Sequence, residues 1–519
     1  MKTNFKNHSI KIPGLFLLWA IVAFSDKLEA NICEGRSPQI VDAIRKSIGN
    51  QTSMGPFRIR GGLLEDGLPD CRHIKTGDLE SIESLTVNLP FHEDERLDYR
   101  DFDNLIYLKK LDMSQTGLAG EIPISALARL SNLQELNLSQ NNLTGGIPAG
   151  LGMFSDLRYL YLNNNNLTGE IPEKLTGLLN LRKLILHDNQ LSGGIPTNMA
   201  DLFNLLELDL HDNQFDNNLE SVKWPYRLLD IDLKNNNFTG NIPAALGEIT
   251  SLQEIDLRNN EFSGEIPESL SKLSSLQKLD FGNNKLTGTI SWQLGKLSKL
   301  KQLCLDNNKL EGDLPESLGN LLKLQKLHLQ VNYFNSIPGG FNKLVNLREL
   351  LLGHNRIKGN IPPALLTLPK LKKLQLNHNK FKGNISAIEQ REEGLGLQEL
   401  LLQNNKLKGN IPSGLNVFFD LRKLILSNNR FSGEIPEELG DLYELKVLNL
   451  SYNKLGGSIP ASLGDLRNLE EMDLSNNKLK GRIPSEFGQL KKLQLLTLSN
   501  NRLSGAIPAE LGDLPDLRR

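Results

Sequence analysis

The sequence predicts an α/β-type repeat solenoid, with short parallel strands on a concave side and irregular or 3-10 segments on a convex side. Three observations lead there. The chain has 519 residues, 39% hydrophobic but only 6% aromatic, so its apolar content is aliphatic. That content is spread evenly and is not gathered into blocks between linkers. From Leu108 onward the pattern L-x-x-L-x-L-x-x-N-x-L-x-G-x-I-P returns about every 24 residues, in 17 copies over residues 108–516. A period of this size means stacked supersecondary units, each burying its apolar side only against its neighbours.

The unit is complete at residues 133–148, with Leu133, Leu136, Leu138, Asn141, Leu143, Gly145, Ile147 and Pro148 in register. The alternation around the second and third leucines has period two, which is a short strand with one buried face. Neighbouring copies would pair in parallel at a spacing of about 4.8 Å. Proline lacks an N–H and so suits the start of the outer path, where no ladder partner is needed. The ninth position is asparagine in 16 of 17 copies, from Asn141 to Asn501, and Thr116 is the exception. A weaker copy, Ile82, Leu85 and Val87, precedes the array.

This pattern is that of the leucine-rich repeat. Its Leu/Phe-x-Gly-x-Ile-Pro half resembles the plant-type class found in extracellular receptors, receptor-like proteins and polygalacturonase-inhibiting proteins, over residues 82–519. The resemblance implies a leucine-rich repeat superhelix. It also implies that the ninth-position asparagine bonds backbone groups of its own and the adjacent repeat. In function it implies receptor-like signalling or inhibition of a foreign hydrolase, which is analogy at the level of fold.

Residues 1–30 read as a signal peptide. Lys2, Lys6 and Lys11 precede a short apolar run from Gly14 to Ser25, too short to span a bilayer, with cut sites at Ser25 or Ala30. The expected location is secreted, at a cell surface or wall. Residues 31–107 are expected to cap the array. Ser37 and Pro38 open an amphipathic helix with Ile40, Val41, Ile44 and Ile48 on one face. Cys33 and Cys71 bracket one short region and are expected to pair, while Cys304 has no partner. Residues 108–519 hold the array of 17 repeats and a stub. Its last layer, around Leu493, Leu496 and Leu498, should expose an edge that a longer product or a partner chain would cover. Three repeats are irregular: Phe215 to Arg227, with Trp224 and Tyr226; the repeat at Leu324, one residue short near Asn335 and Ser336; and the repeat at Leu371, with an insertion from Glu389 to Gly394.

Sequons at Asn50, Asn142, Asn166, Asn237 and Asn384 are candidate glycosylation sites. Those at Asn137 and Asn449 would place sugar on the sheet face.

The sequence offers no Gly-x-Ser-x-Gly, P-loop, His-Glu-x-x-His or Cys-x-x-Cys, so no enzyme and no cofactor is expected. Lys and Arg number 59 against 61 Asp and Glu, which leaves no basic surplus for nucleic acid. No later run is long enough to span a membrane. The candidate site is the exposed sheet face. Between the second and third leucines, Asp209, Asp232, Asp256 and Asp280 follow one another. Like charges on adjacent strands repel. His187, His211, Lys234 and Arg258 in the next column offer relief, and Tyr159 and Tyr161 stand to the N-terminal side with Trp224 and Tyr226 protruding nearby. Two readings stay open here: a lattice of internally paired ions, or a site for a protein, peptide or polysaccharide ligand. No metal is assigned, because spacing alone gives His187 and His211 no ligand geometry. Cys304 shares the aspartate column and is expected to be exposed. Leu351, Leu401 and Ile425 form a second, apolar contact surface. The alternatives to recognition are a structural or adhesive wall protein and the ectodomain of a receptor.

Overall fold

The computed structural model describes residues 36–52, 79, 82–87, 97, 101–385 and 396–518. The signal-peptide segment, Cys33, Cys71, the insertion from Glu389 to Gly394 and the side chains of Ile48 and Asn50 lie outside what it describes. The chain divides into two compact units, Met1–Gln214 and Phe215–Arg519. The division falls inside the array, at the repeat that lacks Gly-x-Ile-Pro. Among the described residues no helix is long and apolar enough to cross a membrane.

The first unit opens with helix α1, Pro38–Thr52. Ile40, Ala43 and Ile44 are buried, whereas Val41 is half-buried at the edge of that face. Its start is tied down by Asp101, which accepts the Ser37 N–H at 2.5 Å. Ser47 on the helix donates to the Ser84 carbonyl at 2.9 Å. Six parallel strands follow: Ser84–Thr86, Lys110–Asp112, Glu135–Asn137, Tyr159–Tyr161, Lys183–Ile185 and Glu207–Asp209. Their central residues Leu85, Leu111, Leu136, Leu160, Leu184 and Leu208 fall in one register and are all wholly buried.

The second unit repeats the design in twelve parallel strands, from Asp230–Asp232 to Leu495–Thr497. Ile231, Ile255 and Leu279 begin its central ladder. At the far end Leu493 is buried but Leu496 and Leu498 are only half-buried, because no further layer of described residues covers them.

Three devices hold each repeat to the next. The ninth-position asparagine is the strongest. Asn165 donates to the carbonyls of Leu138 and Leu162, both at 3.0 Å, and accepts the Leu143 N–H at 3.0 Å. One side chain thus satisfies backbone groups of two repeats, and its loss would strand them at about 1–3 kcal/mol. In the first full repeat Thr116 takes this place and donates to the Met113 carbonyl at 2.9 Å. The second device is a left-handed residue just before the ninth position, with φ of 52–58° in all 17 repeats. Asn, Asp, Gln or His fills it everywhere except at Val331 and Tyr452. The third is a short 3-10 turn after the proline, such as Glu173–Gly177, which buries Leu175.

Two of the irregular repeats keep the core filled. In Phe215 to Arg227 the residues Leu219, Val222 and Trp224 are buried. Trp224 therefore does not protrude, contrary to the expectation from sequence: without Ile-Pro, the segment supplies its apolar filling from the indole. Tyr226 is exposed. The deletion in the Leu324 repeat leaves Phe334 and Phe341 buried on either side of it.

Candidate ligand-binding face

The ten residues singled out on the sheet face fall five to each unit. Tyr159, Tyr161, His187, Asp209 and His211 belong to the first; Asp232, Lys234, Asp256, Arg258 and Asp280 belong to the second. Each group has its own geometry.

In the first unit the strands alternate buried leucine with half-buried outward residues. Tyr161 sits between Asn137 and Ile185 in the parallel register, and Ile185 faces Asp209 on the following strand. Together they line an open depression of about 480 Å³, with Lys110, Glu135 and Glu207 at its margin. Burial pushes the Tyr161 phenol up from its ordinary value, partly offset by the Lys183 charge. Lys110 pairs with Glu135 at 2.8 Å, and Lys183 pairs with Glu207. Each hydrogen bond holds its lysine above the ordinary ammonium range. Of this column, two residues before the aspartates, the sequence reading took only Tyr159. The lysine–glutamate neighbours on either side of it, one repeat apart, were the signal that could have found the rest.

His187 and His211 occupy equivalent positions of adjacent repeats, and their rings stack at 4.2 Å with 6° between planes. Asp188 lies 2.8 Å from His187 Nδ1, and Asp209 lies 2.5 Å from His211 Nδ1. The His211 Nε2 atom has Asp212 at 3.6 Å and Asp188 at 3.9 Å.

In the second unit the aspartates are neutralised within the chain. Asp232 pairs with Lys234 at 2.8 Å and Asp256 with Lys278 at 2.7 Å. Arg258 reaches Asp256 at 3.7 Å and Asp280 at 3.8 Å. Asp256 and Asp280 are 2% and 6% exposed, so the expectation that this column lies open is corrected at both. A short carboxylate between strands is overtopped by the longer lysine and arginine beside it. Burial and the Asp256 charge raise the Asp280 carboxyl to about 6, against the Gly282 N–H and Arg258.

The same geometry corrects Cys304, which is 6% exposed. Its Sγ lies 3.7 Å from His328 Nδ1, and His328 Nε2 lies 2.8 Å from Glu349. Thiol, imidazole and carboxylate stand in the order used by cysteine nucleophiles. Burial, with Asp280 and Asp306, pushes the thiol far above its ordinary range, which opposes the thiolate that a nucleophile needs.

Of the candidate glycosylation sites, Asn142, Asn166, Asn237 and Asn384 are exposed. Asn137 lines the depression.

A parallel ladder of leucine-centred strands, an asparagine tying each repeat to the next and 3-10 turns on the other side define a leucine-rich repeat protein. Leucine rich repeat families match residues 106–167, 298–357 and 419–479, and single repeats match at 180–202, 227–249, 251–273, 275–297, 396–418 and 492–514. The two-copy form matches residues 345–390. The chain belongs to this family. Among solved structures it is similar to the Arabidopsis receptor kinase HAESA in complex with the peptide hormone IDA and the co-receptor SERK1. That match has 35% identity over 83% of this chain and 76% of that one, with a TM-score of 0.69. The plant peptide hormone receptor RGFR1 in complex with RGF2 is 30% identical over 80% of this chain and 78% of that one, with a TM-score of 0.60. A leucine-rich repeat protein of Leptospira interrogans is 30% identical over 75% of this chain and 95% of that one, with a TM-score of 0.59. Among curated proteins no sequence matches.

Proposed function

We propose that this chain is an extracellular, non-catalytic recognition protein that takes a peptide on the sheet face of its first unit. The depression beside Tyr161 carries the reading: it is open, has an apolar floor at Ile185, and is bordered by charges of both signs. Aromatic anchors next to charged groups bring contact area at low entropic cost. Similarity to receptor ectodomains solved with peptide hormones supports a peptide over a polysaccharide. The signal-peptide reading of residues 1–30 and the exposed sequons support export.

Selection of a displayed random-peptide library on the purified chain tests this. Saturable binders should lose at least tenfold in affinity on Tyr161→Ala and on Glu207→Lys. They should be indifferent to Tyr443→Ala, an exposed aromatic in the second unit. Binders indifferent to both changes in the first unit would overturn the reading and favour adhesion through another surface.

A further inference from the structure

We propose that His187, Asp209 and His211 bind one divalent transition-metal ion of the Zn2+ type. The inference is independent of the peptide reading, since it concerns the metal alone.

The fold assembles the site. Strands Lys183–Ile185 and Glu207–Asp209 pair in parallel with Asp209 opposite Ile185. Two residues further on, His187 and His211 meet at one level, which is why their rings stack. One ligand atom from each of His187, Asp209 and His211 lies within 4.8 Å of the other two. A point equidistant from three such atoms is within about 2.8 Å of each, close to the 2.0–2.2 Å of Zn–N and Zn–O bonds. Two imidazoles and a carboxylate suit a borderline ion such as Zn2+, and not Mg2+ or Ca2+, which prefer all-oxygen sets.

The surroundings favour the same ion. Asp188 holds His187 at Nδ1, the outer-shell carboxylate contact that fixes the orientation of a ligating imidazole. Asp188, Asp209 and Asp212 crowd three carboxylates around two imidazoles, a negative field that attracts a cation. Parallel stacked rings direct their lone pairs along parallel planes, so coordination requires one ring to turn about χ2. Both histidine side chains are partly open to solvent, at 19% and 15% exposure, and not locked in the core. His187 and Asp209 also line the depression, so the remaining coordination positions of a bound ion would face it.

A second stacked pair supplies the control. His354 and His378 stack at 3.9 Å, but both nitrogens of His378 are bonded to carboxamides, of Asn377 at 3.0 Å and Asn404 at 2.8 Å. Histidine stacking alone is thus separated from stacking with a carboxylate ligand.

The test uses the untagged chain, stripped with a chelator, dialysed, and titrated with Zn2+ by calorimetry and with Co2+ by visible absorption. One equivalent of Zn2+ should bind, and Co2+ should give the intense visible band of a site with fewer than six ligands. His187→Asn, His211→Asn and Asp209→Asn should each weaken binding at least tenfold with the circular dichroism unchanged. His378→Asn should bind as the parent does. Absence of a stoichiometric site, or full binding by His187→Asn, would overturn the proposal. So would loss of binding in His378→Asn alone.

Discussion

The sheet faces of the two units are built from the same columns and behave differently. In the first unit the ion pairs stand at the margin of a depression, and its histidines keep carboxylates for company. In the second, Asp256 and Asp280 sink between their neighbours and share Arg258, Asp232 keeps Lys234 at the surface, and the one thiol is sealed in. The lesson is that a column of like residues does not make a surface. Whether a short polar side chain is presented or buried depends on the length and charge of the side chains one strand away.

The largest expected effect breaks this comparison most directly. Lys278→Ala removes the cation from Asp256, which is 2% exposed, and should cost roughly 3 kcal/mol. Lys183→Ala removes the equivalent residue of the first unit, whose pair with Glu207 is part-exposed on both sides, and should cost under about 1 kcal/mol. Denaturant midpoints of the two variants measure the difference; equal losses would mean that burial does not separate the faces.

Asp280 sharpens the comparison through pH. Its folded pKa of about 6 lies above the ordinary 3.8. The folded state therefore holds the proton more tightly, and the stability this contributes is complete below pH 3.8 and lost as pH rises through about 6. Asp280→Asn, which still accepts the Gly282 N–H, should be more stable than the parent at pH 7.5, on the order of 1–3 kcal/mol. At pH 3.5 the advantage should vanish. Paired melts at the two pH values read it out.

The smallest expected effect concerns the turn. Val331 carries a β-branched side chain at φ 57°, in a slot that Asn235, Asn259, Asn283 and Asn307 fill in other repeats. Asparagine tolerates this region far better. Val331→Asn should therefore raise stability by about 1 kcal/mol, while the same change at Gln140, in the first unit, should gain less. Thermal midpoints of the two variants compare them.

Much of the fold was legible from residues alone. Leucine spacing dictated the strands, their register and the buried ladder, and the ninth-position asparagine announced a bonded turn. The left-handed residue before it was not read, because Asn, Asp, Gln and His share a conformation there and no single letter. For the site, the sequence brought His187, Asp209 and His211 into neighbouring columns but could not say that their ligand atoms converge. It also placed Cys304, Asp256, Asp280 and Trp224 at the surface, where the structure buries them.

Sequence by itself determined the class of molecule, because a period of about 24 residues with one apolar side can be satisfied only by stacking like on like. Tertiary structure alone decided which polar residues meet solvent. That outcome turns on contacts between side chains a whole repeat apart, and on how far a lysine, an arginine or an imidazole leans over its shorter neighbour.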